Sequence, residues 1–155
     1  MIDKFKESFN IADDIVLGNG KMVLFSGPCA VESYEVCATV AESLKETCER
    51  LDIQLIFKAS FDKANRTSVK SFRGVGLDEG LSVLDKIRRE FDLSIVTDIH
   101  EPSQAKPVSD VAQALQIPAY LCRQTDLLVA AGQTGKTVKI KRGQFMAPED
   151  MQYAV

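Results

Sequence analysis

Gln54-Leu55-Ile56-Phe57-Lys58 leads into a long polar stretch, Phe61 to Gly76, which is followed by Leu77, Leu81, Leu84, Ile87 and Phe91. The first segment is a short apolar run ending on a cation, and it reads as a strand. The last repeats its apolar residues three and four apart, the period of a helix face. The same order recurs on either side. Upstream, the run through Phe25 reaches Ser26-Gly27-Pro28-Cys29, and Ser33 is placed to cap a helix carrying Val36, Val40, Leu44, Cys48 and Leu51. Downstream, Ser94-Ile95-Val96-Thr97 reads as a strand ending at Asp98, with a short helix around Ser103 to Asp110 and a strand at Ala114-Leu115-Gln116-Ile117. Thr125 is then expected to cap a helix through Leu127, Leu128 and Ala131, stopped by Gly135. Thr137-Val138-Lys139-Ile140 is the last expected strand, ending at Lys141, and Pro148 opens a final helical stretch. At the N-terminal side, Ile15-Val16-Leu17 and Met22-Val23-Leu24-Phe25 flank Gly18-Asn19-Gly20, which predicts a β-hairpin over about residues 15–25.

Alternation of strand and helix in this way calls for parallel strands with crossover helices, an α/β fold. Two layouts satisfy it, an open doubly wound sheet or a β/α barrel. A complete barrel takes eight units and typically ~250 residues. The 155 residues read as a single domain long enough to bury a core, and 45% apolar with 26% charged residues is the profile of a soluble globular protein. The net charge of -3 comes without a Lys/Arg-dense tract, which argues against nucleic acid or a membrane surface as partner. Small anionic ligands stay open, since they need only a few placed cations. The start, Met1-Ile2-Asp3-Lys4-Phe5-Lys6, lacks the apolar core of a signal peptide, and Cys29, Cys37, Cys48 and Cys122 show no disulfide-framework or C-x-x-C spacing. A reducing, cytoplasmic setting is expected.

In parallel β/α folds the reactive groups gather where strands end. Here Cys29, Lys58, Asp98 with His100, Arg123, and Lys141 with Arg142 follow successive strands. The plain alternative is that strand ends meet solvent and loops are polar. The stretch Lys58-Ala59-Ser60-Phe61-Asp62-Lys63-Ala64-Asn65-Arg66-Thr67-Ser68 is the richest, combining three cations with amide and hydroxyl donors. Phosphate favours that mixture: lysine as a point charge, arginine as a two-pronged fork, neutral donors for the remaining lone pairs. Its length is also unusual for a strand-to-helix connection.

Phe57-Lys58-Ala59-Ser60-Phe61-Asp62-Lys63-Ala64-Asn65-Arg66 resembles the signature of the 3-deoxy-D-manno-octulosonate 8-phosphate synthases. So do Ser71-Phe72-Arg73-Gly74, Thr97-Asp98-Ile99-His100-Glu101, Leu121-Cys122-Arg123-Gln124-Thr125-Asp126 and Lys141-Arg142-Gly143-Gln144-Phe145, in the family's order and across nearly the whole chain. The resemblance implies a TIM-type β/α barrel, truncated here to about five units, with a hairpin closing its bottom. It implies the condensation of phosphoenolpyruvate with D-arabinose 5-phosphate, for lipopolysaccharide precursor synthesis, in a cytoplasmic homo-oligomer, a tetramer in the family. Lys58 and Lys141 match lysines that contact phosphoenolpyruvate. Lys63, Asn65 and Arg66 match residues that hold the sugar phosphate, and Thr67 stands where the family often has serine. Asp98 matches a residue binding sugar hydroxyls, and Arg123 one that reaches a neighbouring subunit's sugar phosphate.

The resemblance also concerns a metal. The family divides into metal-dependent members with cysteine at the Cys29 position and metal-independent members with asparagine, so Cys29 implies a divalent ion, zinc, iron or manganese. The family's other ligands, a His, a Glu and an Asp, come from later strands, and His100 matches a different position. One thiolate cannot make a closed or catalytic zinc site, so a metal is not expected to be retained by this chain alone. The related 3-deoxy-arabino-heptulosonate 7-phosphate synthases carry Lys-Pro-Arg-Thr where this chain reads Lys63-Ala64-Asn65-Arg66. A further alternative is an inactive or assembly-only fragment, prone to aggregation through open sheet edges.

Overall fold

The computed structural model describes residues 8–154 apart from Asp13. Two short strands, β1 (Phe9–Ala12) and β2 (Ile15–Leu17), pair antiparallel. They precede a five-stranded parallel sheet of β3 (Val23–Ala30), β4 (Gln54–Ser60), β5 (Ser94–Asp98), β6 (Ala114–Ile117) and β7 (Thr137–Ile140), in that spatial order. Helices α1 (Tyr34–Arg50), α2 (Leu77–Phe91), α3 (Ala105–Ser109) and α4 (Thr125–Gly132) connect successive strands. The expected α/β class is therefore present as a parallel sheet with crossover helices.

Alternation along the strands divides the sheet into two faces. Leu55, Phe57 and Ala59 of β4, Ile95 of β5 and Leu115 and Ile117 of β6 join Cys37, Ala41, Leu84, Ile87, Val108 and Leu127 of the four helices in one buried cluster. The opposite face carries a smaller cluster, in which Ile56, Val96 and Ala114 pack with Val23, Phe25 and the hairpin residues Ile11 and Ile15. Ser33 caps α1 as its position predicts, its side chain accepting from the Val36 amide. Thr125 does not cap α4. Gln124 occupies that position without a side-chain bond, and Thr125 is the first helical residue.

The hairpin is not the expected one. Ile15–Leu17 pairs backwards with Phe9–Ala12, and Val23–Ala30 joins the parallel sheet. The Gly18-Asn19-Gly20 stretch has positive φ at both glycines, yet it serves as a connection between sheets. Gln54 settles the competition. Its side chain accepts from Val16 N–H and donates to Val16 C=O, satisfying the free edge of β2 from the start of β4. Thr137 Oγ1 donates to Ile11 C=O from the far side. The hairpin thus covers the N-terminal end of the smaller cluster. No helix among the described residues is long and apolar enough to cross a membrane.

Candidate active site

Beyond the apolar cluster the hairpin-side face changes character within one alternation step. Lys58 follows Ile56 by two residues, Asp98 follows Val96, Gln116 follows Ala114, and Lys139 and Lys141 follow Thr137. Parallel pairing aligns Asp98 with Gln116 and Gln116 with Lys139. The result is an open pocket of about 260 Å³ at the C-terminal strand ends, lined among others by Lys58, Lys63, Asn65, Asp98, His100, Gln116 and Lys141.

Asp98 is its electrostatic centre. Ser60 Oγ donates to Oδ2 at 2.6 Å, Gln116 Nε2 donates to Oδ1, and the Lys58 ammonium lies 3.7 Å from Oδ2. Burial pushes the Asp98 carboxyl up, but Lys58 and the two hydrogen bonds outweigh it and hold the group below the usual carboxylate range. Burial holds Lys58 below the ordinary lysine range, with Lys63 adding to the effect and Asp98 opposing it. Lys63 comes from the long connection after β4, yet its ammonium reaches Ser60 Oγ at 2.9 Å. The connection is folded back on its own start: Lys63 N–H donates to Arg73 C=O, Gly76 N–H donates to Phe61 C=O, and Arg73 forks onto Asp62. Gly74, at φ +129°, allows this, since a Cβ there would lie 2.2 Å from the Phe61 carbonyl oxygen.

His100 stands edge-on to Phe61, and burial keeps its imidazole below its ordinary range and hence neutral at pH 7. Its buried Nδ1 has no partner among the described residues, which leaves a hydrogen-bonding atom for a ligand or water. Lys139 reaches over the Phe25 ring, and burial, with Lys141 nearby, lowers its pKa.

The structure therefore brings Lys58, Lys63, Asn65, Asp98 and Lys141 to one mouth and leaves other expected residues outside its lining. Arg66 is exposed and donates to Phe72 C=O. Thr67 and Arg123 are exposed as well. Cys29 is exposed at the end of β3, just past a break in pairing between Ser26 and Cys29, at φ +64°. Among the described residues no group of three or more His, Cys, Asp or Glu is arranged to hold a metal ion. The donors present do not fit a divalent ion without ligands from elsewhere.

Ser60, Asp62, Gln116 and Gln144 were not singled out from the sequence. Parity was the available signal for two of them. Ser60 is two residues from Lys58, and Gln116 is the one polar residue of an otherwise apolar strand.

The chain matches the model of the DAHP synthetase I family over residues 4–155. It belongs to that family. Curated relatives within reach of this family assignment share the name 2-dehydro-3-deoxyphosphooctonate aldolase. That of Fusobacterium nucleatum is 57% identical over 143 residues, covering 92% of this chain and 51% of its own. That of Campylobacter jejuni strain 81-176 is 58% identical over 135 residues, covering 87% and 50%. That of Koribacter versatilis is 51% identical over 155 residues, covering 100% and 54%. The chain spans about half the length of the curated relatives it matches. The family resemblance read from the motifs is thus borne out.

Proposed function

We propose that this chain carries the phosphoenolpyruvate side of the site of a 3-deoxy-D-manno-octulosonate 8-phosphate synthase, acting on D-arabinose 5-phosphate within a β/α barrel. The observation that carries the reading is the convergence of Lys58, Lys63, Asn65, Asp98 and Lys141 on one pocket at the strand ends. Relatives more than half identical bear the name of the corresponding aldolase, which supports the same choice over the heptulosonate enzyme.

In this reaction C3 of the enolpyruvate attacks the aldehyde carbon of the open-chain sugar, and the aldehyde oxygen takes a proton. Water adds at C2, and phosphate then leaves by C–O cleavage as the ketone forms. Lys58 and Lys141 hold the anionic phosphoenolpyruvate, and Lys63 and Asn65 approach from the loop side to hold the sugar phosphate; Arg66 and Thr67, exposed on the same loop outside the pocket lining, would have to turn inward to join them. Asp98, kept ionised, accepts from sugar hydroxyls. Arranging two anions beside fixed cations removes much of the orientational and electrostatic barrier. Arg123 is exposed and off the pocket, in keeping with service to the sugar phosphate of a neighbouring copy in a homo-oligomer. Cys29 offers a single thiolate toward a divalent ion, whose remaining donors would lie outside the described residues. The product is a precursor for lipopolysaccharide.

The test is the rate of phosphoenolpyruvate consumption by the full-length protein with arabinose 5-phosphate against erythrose 4-phosphate. Preference for the pentose phosphate is expected; preference for the tetrose overturns the assignment.

A further inference from the structure

Ser60 is fully buried at the end of β4 and does not line the pocket, yet it touches three groups that do. Its Oγ donates to Asp98 Oδ2 at 2.6 Å and accepts from the ammonium groups of Lys58 and Lys63, each at 2.9 Å. A hydroxyl has one proton and two lone pairs, so all of its capacity is used. Two like-charged ammonium groups would otherwise repel each other in a half-buried setting and swing toward solvent. A neutral oxygen between them, itself polarised by the carboxylate beneath, gives both a common acceptor.

We infer that Ser60 is a positioning residue that holds Lys58 and Lys63 as a paired cradle before an anionic substrate arrives. The inference rests on the reading of the pocket as a phosphoenolpyruvate site and adds a cause for its geometry. On entry, a substrate carboxylate or phosphate finds both ammonium groups already oriented, so the cost of ordering two long side chains has been met in folding. Asp98 anchors the serine from below, and Gln116 fixes Asp98 from the other side. The loop contributes to the same end, since the Lys63 backbone is fixed by Arg73.

The experiment compares Ser60→Ala, Lys58→Ala and Lys63→Ala in the full chain by calorimetric titration with phosphoenolpyruvate, which reads the Lys58 side of the cradle, and with arabinose 5-phosphate, which reads the Lys63 side. It is combined with thermal melts and with NMR of the lysine side chains labelled at Cε. Ser60→Ala is expected to weaken binding about tenfold while the protein stays folded. The Lys58 and Lys63 signals are expected to move to the averaged positions of exposed lysines. Unchanged affinity in Ser60→Ala, or weakened affinity with both lysine signals still in place, overturns the inference. If neither lysine variant alters binding, the phosphoenolpyruvate reading falls, and the inference with it. If the lysine variants weaken binding and Ser60→Ala does not, only the serine's role is lost. Should Ser60→Ala fail to fold, the unsubstituted chain decides. Restricted Lys58 and Lys63 side chains with slowly exchanging ammonium protons are expected before ligand is added, and freely averaged ones overturn the proposal.

Discussion

The hairpin-side face of the sheet contains two regions built on the same strands. Near the strand starts it is dry, with Ile56, Val96 and Ala114 packed under Ile11 and Ile15. One alternation step later it is charged, with Lys58, Asp98 and Gln116 around a pocket. That step is about 6.6 Å along a strand. Composition therefore says little about a residue's task here, and depth along the strand says a great deal. The hairpin marks the boundary by sealing one end and leaving the other open.

The most severe way to break this contrast is to put a charge in the dry layer. Val96→Asp, at a fully buried position two residues below Asp98, is expected to cost more than about 4 kcal/mol. Urea melts would show this, and near-normal stability would mean that the lower layer is not sealed. The converse change, Lys58→Met, is expected to lower kcat/KM for the proposed condensation by about 100-fold or more in the full-length protein. It should also cost about 3 kcal/mol, because Asp98 keeps its burial and loses its cation; steady-state rates and melts measure the two effects separately. Gly27→Ala tests the wall between the layers. A Cβ there would lie 2.1 Å from the Lys58 carbonyl oxygen, so the β3–β4 pair must part, at a cost of about 1–3 kcal/mol. The smallest effect is expected from acid. Asp98 has a folded pKa below the ordinary 3.8, so its share of stability is complete above that value and is lost as pH falls through the folded pKa. Melts of the unsubstituted chain and Asp98→Asn below pH 4 should converge; a constant gap would show that Asp98 is not the ionised member of the network.

The sheet and most of its strand ends were legible because apolar runs stopping at Lys58 and Asp98 carry their own punctuation, and because the helix following Ser33 has both a cap and a period. The pairing of Ile15–Leu17 was not legible. Its partner Phe9–Ala12 is a four-residue segment with little alternation, and the contact that decides the matter comes from Gln54, nearly forty residues away. In the site, charged residues at strand ends were visible, whereas Ser60 and Gln116 were hidden by their settings. A neutral polar side chain inside an apolar strand looks like a tolerated exception until its neighbours are known. Arg66, Thr67 and Arg123 show the opposite limit: a motif identifies residue types, and the loop path determines which of them reach the pocket.

Cys29 has a backbone consequence of its own. Its left-handed φ of +64° is uncommon for a thiol-bearing residue and comparatively easy for asparagine, whose short carboxamide tolerates that region. Cysteine and asparagine are therefore both admissible to the same turn, one with some strain and the other with less. Asparagine could therefore replace Cys29 without rebuilding the scaffold, whereas a β-branched residue would be excluded there by steric conflict alone.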